Sequence, residues 1–332
     1  MKHFKKLTLI ASMIVLIISL FSSCSKKESS TSTQSTQTQQ QTSDNAQIAI
    51  VLKTLSNPFW VTMKEGIEAE AKAQGIKVDI FAASSEEDVQ EQLKLVENLL
   101  NKDYKAIGVA PLSPVNLIPA VVEANKKGMY VVNIDEKIDM NELKNAGGSV
   151  IAFVTTDNEK VGAKGAQYIV DTLGAQGGEV AIIEGKAGNA SGEARKKGAA
   201  GVFNSNSLIK LVASQPADWD RSKALDVATN MLQRNPNIKA FYCCNDTMAL
   251  GVMQAVQNVG KEGKILVVGT DGTPEAVQAV KDGKMAATVA QDPAKIGATS
   301  LQLLIKALKD KPQISVDKEP EFITVDSNLI KK

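Results

Sequence analysis

Imidazole is almost missing from this chain. Its one histidine among 332 residues is His3, at the extreme N-terminus. Ser–His and Cys–His catalysis, imidazole-built zinc sites and histidine proton shuttles are therefore excluded from the body of the protein. Cysteine is scarce as well. Beyond Cys24 there is only the adjacent pair Cys243-Cys244, and sequence neighbours rarely bridge, so no disulfide framework is implied. Aromatics make up 4% of the residues, with two tryptophans. A basic excess is lacking too. Three lysines (Lys2, Lys5, Lys6) sit in the acid-free first 24 residues, so the remaining 35 of 38 basic residues face 37 acidic ones. Nucleic-acid binding, which calls for a basic stripe, is disfavoured.

What is present begins with an address. Residues 1–24 read MKHFKKLTLIASMIVLIISLFSSC: a basic start, an apolar run from Leu7 to Phe21, then small residues before a cysteine. This is a secretory signal, and its apolar run is short for a spanning helix of about 20 residues. The ending Leu20-Phe21-Ser22-Ser23-Cys24 is similar to a bacterial lipoprotein processing box, with Phe21 where leucine is usual. Residues 1–23 are thus expected to be removed and Cys24 to carry the lipid; the alternative is a plain exported protein. Residues 24–46 are Ser/Thr/Gln-rich without a large apolar side chain. They cannot bury enough surface to offset the entropy of ordering and are expected to form a tether.

From Gln47 onward, strand and helix patterns alternate. Short β-branched runs occur at QIAIVL 47–52, KVDIFA 77–82, AIGVA 106–110 and MYVVNI 129–134. A second series follows at IAFVT 151–155, EVAIIE 179–184, IKLVAS 209–214, KAFYCC 239–244, KILVVG 264–269 and MAATVA 285–290. Between them, Pro58–Gln74 places Trp60, Met63, Ile67 and Ala71 at helical spacing. Ser84-Ser85-Glu86-Glu87 has the pattern of a capping box opening the next helix. Runs that do not alternate in polarity predict parallel strands covered on both faces. Length and strand count predict two doubly wound α/β lobes. The helix at 294–309 and strand at 322–325 follow the second series and fit either lobe.

Ligands of open α/β sheets bind beyond the carboxyl ends of strands, so the residues just after each run are the informative ones. They include Lys53, Asn57, Phe59, Trp60, Asp135, Arg195, Trp219, Asn245, Asp271 and Gln291. Carboxylates, amides and an arginine beside flat rings suit a neutral sugar. Its hydroxyls both donate and accept, and its C–H faces pack on aromatics. Lys53 and Arg195 would balance Asp135 and Asp271. Plainer readings stand beside these: Asn57-Pro58 as a turn into a helix, Trp60 as core, Asn245-Asp246 as a helix cap, Asp271-Gly272 as a turn, and Arg195 as part of a solvated charge run. Trp219, in a loop between acids, has no obvious core face. The glycine-rich stretch 185–192 matches neither dinucleotide nor P-loop spacing, so a nucleotide site is rejected. No cofactor or metal is expected.

The segments LSNPFW (55–60), NIDEK (133–137), FVTTDN (153–158), ASQPADWDR (213–221), CNDTMALG (244–251), VGTDGTPEA (268–276) and VAQDP (289–293) together resemble the periplasmic sugar-binding proteins of the ribose-binding type, the substrate receptors of ABC importers. The resemblance runs from about Gln47 to the C-terminus. It implies the type I architecture: two lobes joined by a three-strand hinge and closing on one monosaccharide, with crossings near Asp157, Gln291 and Pro320. The N-terminal lobe would then be 47–157 plus 292–319, and the C-terminal lobe 158–291 plus 320–332. Asn57, Phe59, Trp60 and Asp135 would line the pocket from the first lobe. Arg195, Trp219, Asn245 and Asp271 would do so from the second, with Gln291 at the hinge. Lys53 stands where ribose receptors tend to have a small residue and Glu136 where they tend to have arginine, which counts against ribose and favours a hexose of allose type; a ribose or psicose receptor is the alternative. A monomer, an importer permease as partner, membrane attachment through lipid alone, and no enzymatic activity are the corresponding expectations. The weighed alternatives are a sensor subunit feeding a membrane kinase or chemoreceptor, a transcription regulator, and an α/β enzyme. An export signal occupies the space where a regulator would need its helix-turn-helix, and the enzyme reading lacks a visible nucleophile–base pair.

Overall fold

The computed structural model describes residues 46–332; the expected export signal 1–23, the Cys24 lipidation site and all but the last residue of the tether lie outside them. Among the described residues no helix is long and apolar enough to cross a membrane. The chain runs β1 (Ile48–Leu52), α1 (Pro58–Gln74), β2 (Val78–Ala82), α2 (Val89–Leu99), β3 (Ala106–Val109), α3 (Ile118–Lys126), β4 (Tyr130–Ile134), α4 (Met140–Asn145) and β5 (Ala152–Thr156). It continues through α5 (Asn158–Leu173), β6 (Gly178–Glu184), α6 (Ala190–Ser205), β7 (Ile209–Pro216), α7 (Arg221–Arg234), β8 (Ile238–Cys243), α8 (Asp246–Asn258), β9 (Leu266–Asp271), α9 (Pro274–Lys281) and β10 (Ala287–Ala290). It ends with α10 (Pro293–Asp310), β11 (Glu321–Val325) and β12 (Asn328–Lys331).

Two six-stranded sheets result, ordered β2-β1-β3-β4-β5-β11 and β7-β6-β8-β9-β10-β12. Pairing is parallel throughout except between β10 and β12. Each sheet has the doubly wound order with a switch point, between β1 and β3 in one and β6 and β8 in the other. The unalternating polarity of β1 follows from burial on both faces. Ile48, Ile50 and Leu52 join the core under α1 and α10, whereas Ala49 and Val51 join the core under α2 and α3. The second sheet has its own core, which takes in the free cysteines Cys243 and Cys244.

The chain passes between the sheets from β5 to α5, from β10 to α10 and from β11 to β12. α10 packs on α1 and on the first sheet. The third crossing differs from expectation. The resemblance put it near Pro320, with residues 320–332 in the second lobe. Instead β11 pairs with β5 from Glu321 opposite Ala152 to Val325 opposite Thr156, so the crossing falls at Asp326-Ser327. After α10 the chain is already beside the open edge of β5, and the Glu321 N–H donates to the Ile151 carbonyl at 3.1 Å. Only β12, which has no counterpart among the sequence expectations, joins the second sheet.

The predicted capping box also dissolves. α2 opens at Val89, and its N-cap Asp88 makes no side-chain capping bond. Other partners claim the acids: Glu86 accepts from Trp60 Nε1 at 3.2 Å, and Asp88 Oδ2 accepts from Ser85 Oγ at 2.8 Å. A helix contact in the second lobe bears directly on function. α5 and α6 touch backbone to backbone, and a Cβ at Gly162 would lie 1.9 Å from the Arg195 carbonyl oxygen. Only glycine allows α6 to lie this close, and that approach sets Arg195 against Asn158 at the first crossing.

Candidate functional site

All ten ligand-binding residues expected from the sequence lie where strands of the two sheets end toward each other. Lys53, Asn57, Phe59, Trp60, Asp135, Arg195, Trp219, Asn245 and Asp271 line one cavity together with Glu86 and Ser191. Gln291 adjoins it, its Nε2 donating to Asp271 Oδ1 at 2.7 Å. Glu86 and Ser191 were not foreseen. In the sequence Glu86 reads as part of a helix cap, and Ser191 carries no signal beyond its glycine-rich surroundings.

Several of these side chains hold local structure and face the cavity as well. Asn57 caps α1, its Oδ1 accepting from Phe59 N at 3.1 Å, with Pro58 at the first helical position. Trp60 is both core and lining: it is 3% exposed, packs in the first core, and meets Phe59 edge-on at 5.0 Å. Asn245 caps α8 through Oδ1, which accepts from Met248 N at 2.8 Å. That bond fixes the amide and leaves Nδ2 buried without a partner. A capping role and a binding role are compatible here because an amide has two ends.

Arg195 is buried, not solvated. Its Nε donates to Asn158 Oδ1 at 2.8 Å and its Nη1 to the Cys244 carbonyl at 2.7 Å, with Asp271 Oδ1 at 3.5 Å. Burial pushes the Asp271 carboxyl well above the usual range, and the Arg195 charge opposes that rise. The indole of Trp219 stands 5.9 Å from the Arg195 guanidinium. Its ring lies on Gly185, where a Cβ would come within 2.1 Å, and on Gly192. The glycine-rich stretch thus makes room for an aromatic face and not for a phosphate. Three site residues, Asp135, Trp219 and Asp271, adopt positive φ of 58°, 64° and 120°. Left-handed backbone is costly for such residues and clusters at functional sites.

The charge balance differs from expectation. Lys53 pairs with Glu136, Nζ to Oε2 at 3.1 Å, with both side chains almost fully buried. Burial works to lower the lysine pKa, and the charges of Glu136, Glu86 and Asp135 outweigh it, so it is raised. The two departures from the ribose receptors are therefore one interaction. With Lys53 engaged by Glu136 and Arg195 by Asp271, Asp135 has no salt bridge among the described residues. Burial raises its carboxyl to about 6 against the pull of Lys53 and Arg195. No surplus cation awaits an anionic ligand.

Four buried side-chain atoms lack a hydrogen-bond partner among the described residues, and three of them are here: Asp135 Oδ1, Asn245 Nδ2 and Gln291 Oε1. Buried polar atoms left unpaired cost about 1–3 kcal/mol each. A donor and two acceptors, set between rings from both lobes, match a polyhydroxylated molecule with apolar faces.

Two doubly wound lobes, three crossings and a polar, aromatic-walled cleft between strand ends define a two-lobed ligand-binding protein. The chain belongs to the periplasmic binding protein family, whose domain model matches residues 48–312. It is 68% identical over 285 residues, 86% of this chain and 92% of the relative, to the D-allose-binding periplasmic protein of Escherichia coli strain K12. It is 39% identical over 250 residues, 75% of this chain and 77% of the relative, to the ribose import binding protein RbsB of Bacillus subtilis strain 168. Among solved structures it superimposes with a TM-score of 0.81 on an ABC transporter periplasmic solute binding protein from Actinobacillus succinogenes 130z with bound D-allose. That pair is 37% identical and covers 87% of this chain and 98% of the other.

Proposed function

We propose that this protein is the substrate receptor of a sugar ABC importer, holding one neutral monosaccharide, D-allose, between its lobes. The observation that carries the reading is the pair of unpartnered buried atoms Asp135 Oδ1 and Asn245 Nδ2 in a cavity walled by Phe59, Trp60 and Trp219, with a third, Gln291 Oε1, beside it on the residue that bonds Asp271. Hydroxyls donate to the two oxygens and accept from the amide, and the pyranose C–H faces lie on the rings. The relative and the structure named for D-allose support the choice of sugar, as does the Lys53–Glu136 pair that sets this cleft apart from the ribose pattern. The ten residues Lys53, Asn57, Phe59, Trp60, Asp135, Arg195, Trp219, Asn245, Asp271 and Gln291 form the binding set. The sugar bonds both lobes only when they are together, so it shifts the population toward closure, and the closed pair of lobes is the surface a permease reads. The protein acts as a monomer and binds without turnover. Calorimetric titration with D-allose, D-ribose, psicose, xylose, galactose and glucose tests this: one site per chain with D-allose tightest is expected, and no heat from any of them refutes it.

Protonation gives a second check. Hydroxyls that donate to ionised Asp135 stabilise its charge, so binding draws its pKa down from about 6 and releases a proton. Affinity is then full well above that value and falls as pH drops through it. Each pH unit below the pKa costs about tenfold, so the Kd near pH 5 is expected to be about ten times that near pH 7.5. A Kd flat across that range contradicts the role given to Asp135.

The anchor belongs to the same proposal: the mature chain starts at Cys24, carries lipid there, and is held to the outer face of the cytoplasmic membrane by it. Cys24→Ser is expected to move the protein from the membrane to the soluble exported fraction. An unchanged membrane fraction would refute the anchor alone.

A further inference from the structure

The stretch from Lys186 to Ser191, between β6 and the first turn of α6, reaches across the cleft at three places. Lys186 Nζ donates to the Glu86 carbonyl and to Glu87 Oε2, both at 2.8 Å. Asn189 Nδ2 donates to the Leu112 carbonyl at 3.1 Å. Glu136, from the loop after β4, accepts from Ser191 Oγ at 2.7 Å and from the Ala190 backbone N–H. Loops after β2, β3 and β4 are thus all gripped by a single segment of the other lobe.

Two of these contacts are tied to the cavity wall without lining it. Glu136, fully buried, also holds Lys53, which lines the cavity. Asn189 Oδ1 accepts from Trp219 Nε1 at 2.8 Å, so the amide that reaches Leu112 also orients the indole. A carboxylate on the first turn of a 16-residue helix meets free N–H groups and the positive end of the helix dipole. These bonds can exist only with the lobes together.

We infer that the segment 186–191 and its lobe-one partner Glu136 form a clasp that sets how long a bound sugar is held. This rests on the receptor reading proposed above and adds positioning residues to it. Lys186, Glu87, Glu136 and Asn189 do not line the cavity. Ligand meets the open cleft before the clasp forms, so the clasp acts on release and leaves capture unchanged. Glu87 is more than half exposed, which makes the Lys186 bridge sensitive to salt.

Stopped-flow tryptophan fluorescence with D-allose on wild type, Lys186→Met and Glu136→Gln, at low and high ionic strength, tests the clasp. Lys186→Met is expected to speed release about three- to tenfold with association within about twofold, since one partly screened charged contact is lost. Salt should speed wild-type release and leave Lys186→Met release unmoved. Glu136→Gln should speed release as well; Lys186, partly buried at the rim with a largely exposed partner in Glu87, provides the variant whose folding is not at risk. A wild type that binds while both variants release at its rate overturns the clasp alone. A wild type that binds no monosaccharide overturns the receptor reading and takes the clasp's role with it.

Discussion

Asp271→Ala is expected to weaken D-allose binding by two to three orders of magnitude. The carboxylate sits 3.5 Å from Arg195 Nη1 and accepts from Gln291 Nε2 at 2.7 Å, with both partners of the ion pair about 5% exposed. Removing it leaves a guanidinium buried without its counter-charge and frees the Gln291 amide, whose Oε1 is already unpartnered. Breaking one side of a buried pair costs about 3–5 kcal/mol, and about 1.4 kcal/mol is a decade in Kd. Part of that loss falls on stability, so the melting temperature should fall too. Asp271→Asn keeps one acceptor oxygen for the Gln291 amide, loses the charge and turns the other oxygen into a donor, and should lie between. Calorimetry and thermal unfolding of both variants check this, and wild-type affinity in Asp271→Ala would remove the residue from the site.

Trp219→Ala should have the next largest effect, about 2–3 kcal/mol of binding, or roughly 30- to 150-fold in Kd. The indole closes one wall of the cavity, lies on Gly185 and Gly192, and anchors the Asn189 amide. Its loss opens a gap that the glycines cannot fill and leaves the sugar face on water. The ring packs at the edge of the second core and does not form its centre, so the variant should fold and melt near the wild-type temperature. A normal dissociation constant would assign Trp219 to packing alone.

Much of this was legible in the sequence because the signals were local. Asn57-Pro58 at a helix start, Asn245 before α8 and the β-branched runs each carry their own pattern, and the strand-end rule gathers them without coordinates. What escaped depends on partners far along the chain. Nothing near Glu321 announces that its strand will complete the sheet begun at Ile48, since that pairing is decided by the open edge of β5. Glu86 reads as a capping residue until Trp60, 26 positions earlier, takes its carboxylate. Lys53 and Glu136 look like two unrelated departures, although 83 residues apart they form one buried pair. The positive-φ backbone of Trp219, a residue type that tolerates it poorly, and of Asp135 and Asp271 is likewise invisible in the sequence, and tertiary contacts hold it in place.

The central claim is that polar groups from two lobes meet around one sugar. A crystal structure of the D-allose complex tests it most directly. One pyranose should lie between Trp60 and Trp219, with hydroxyls within hydrogen-bonding distance of Asp135 Oδ1, Asn245 Nδ2 and Gln291 Oε1. A sugar bound elsewhere, or one that leaves those three atoms unpaired, would contradict the account.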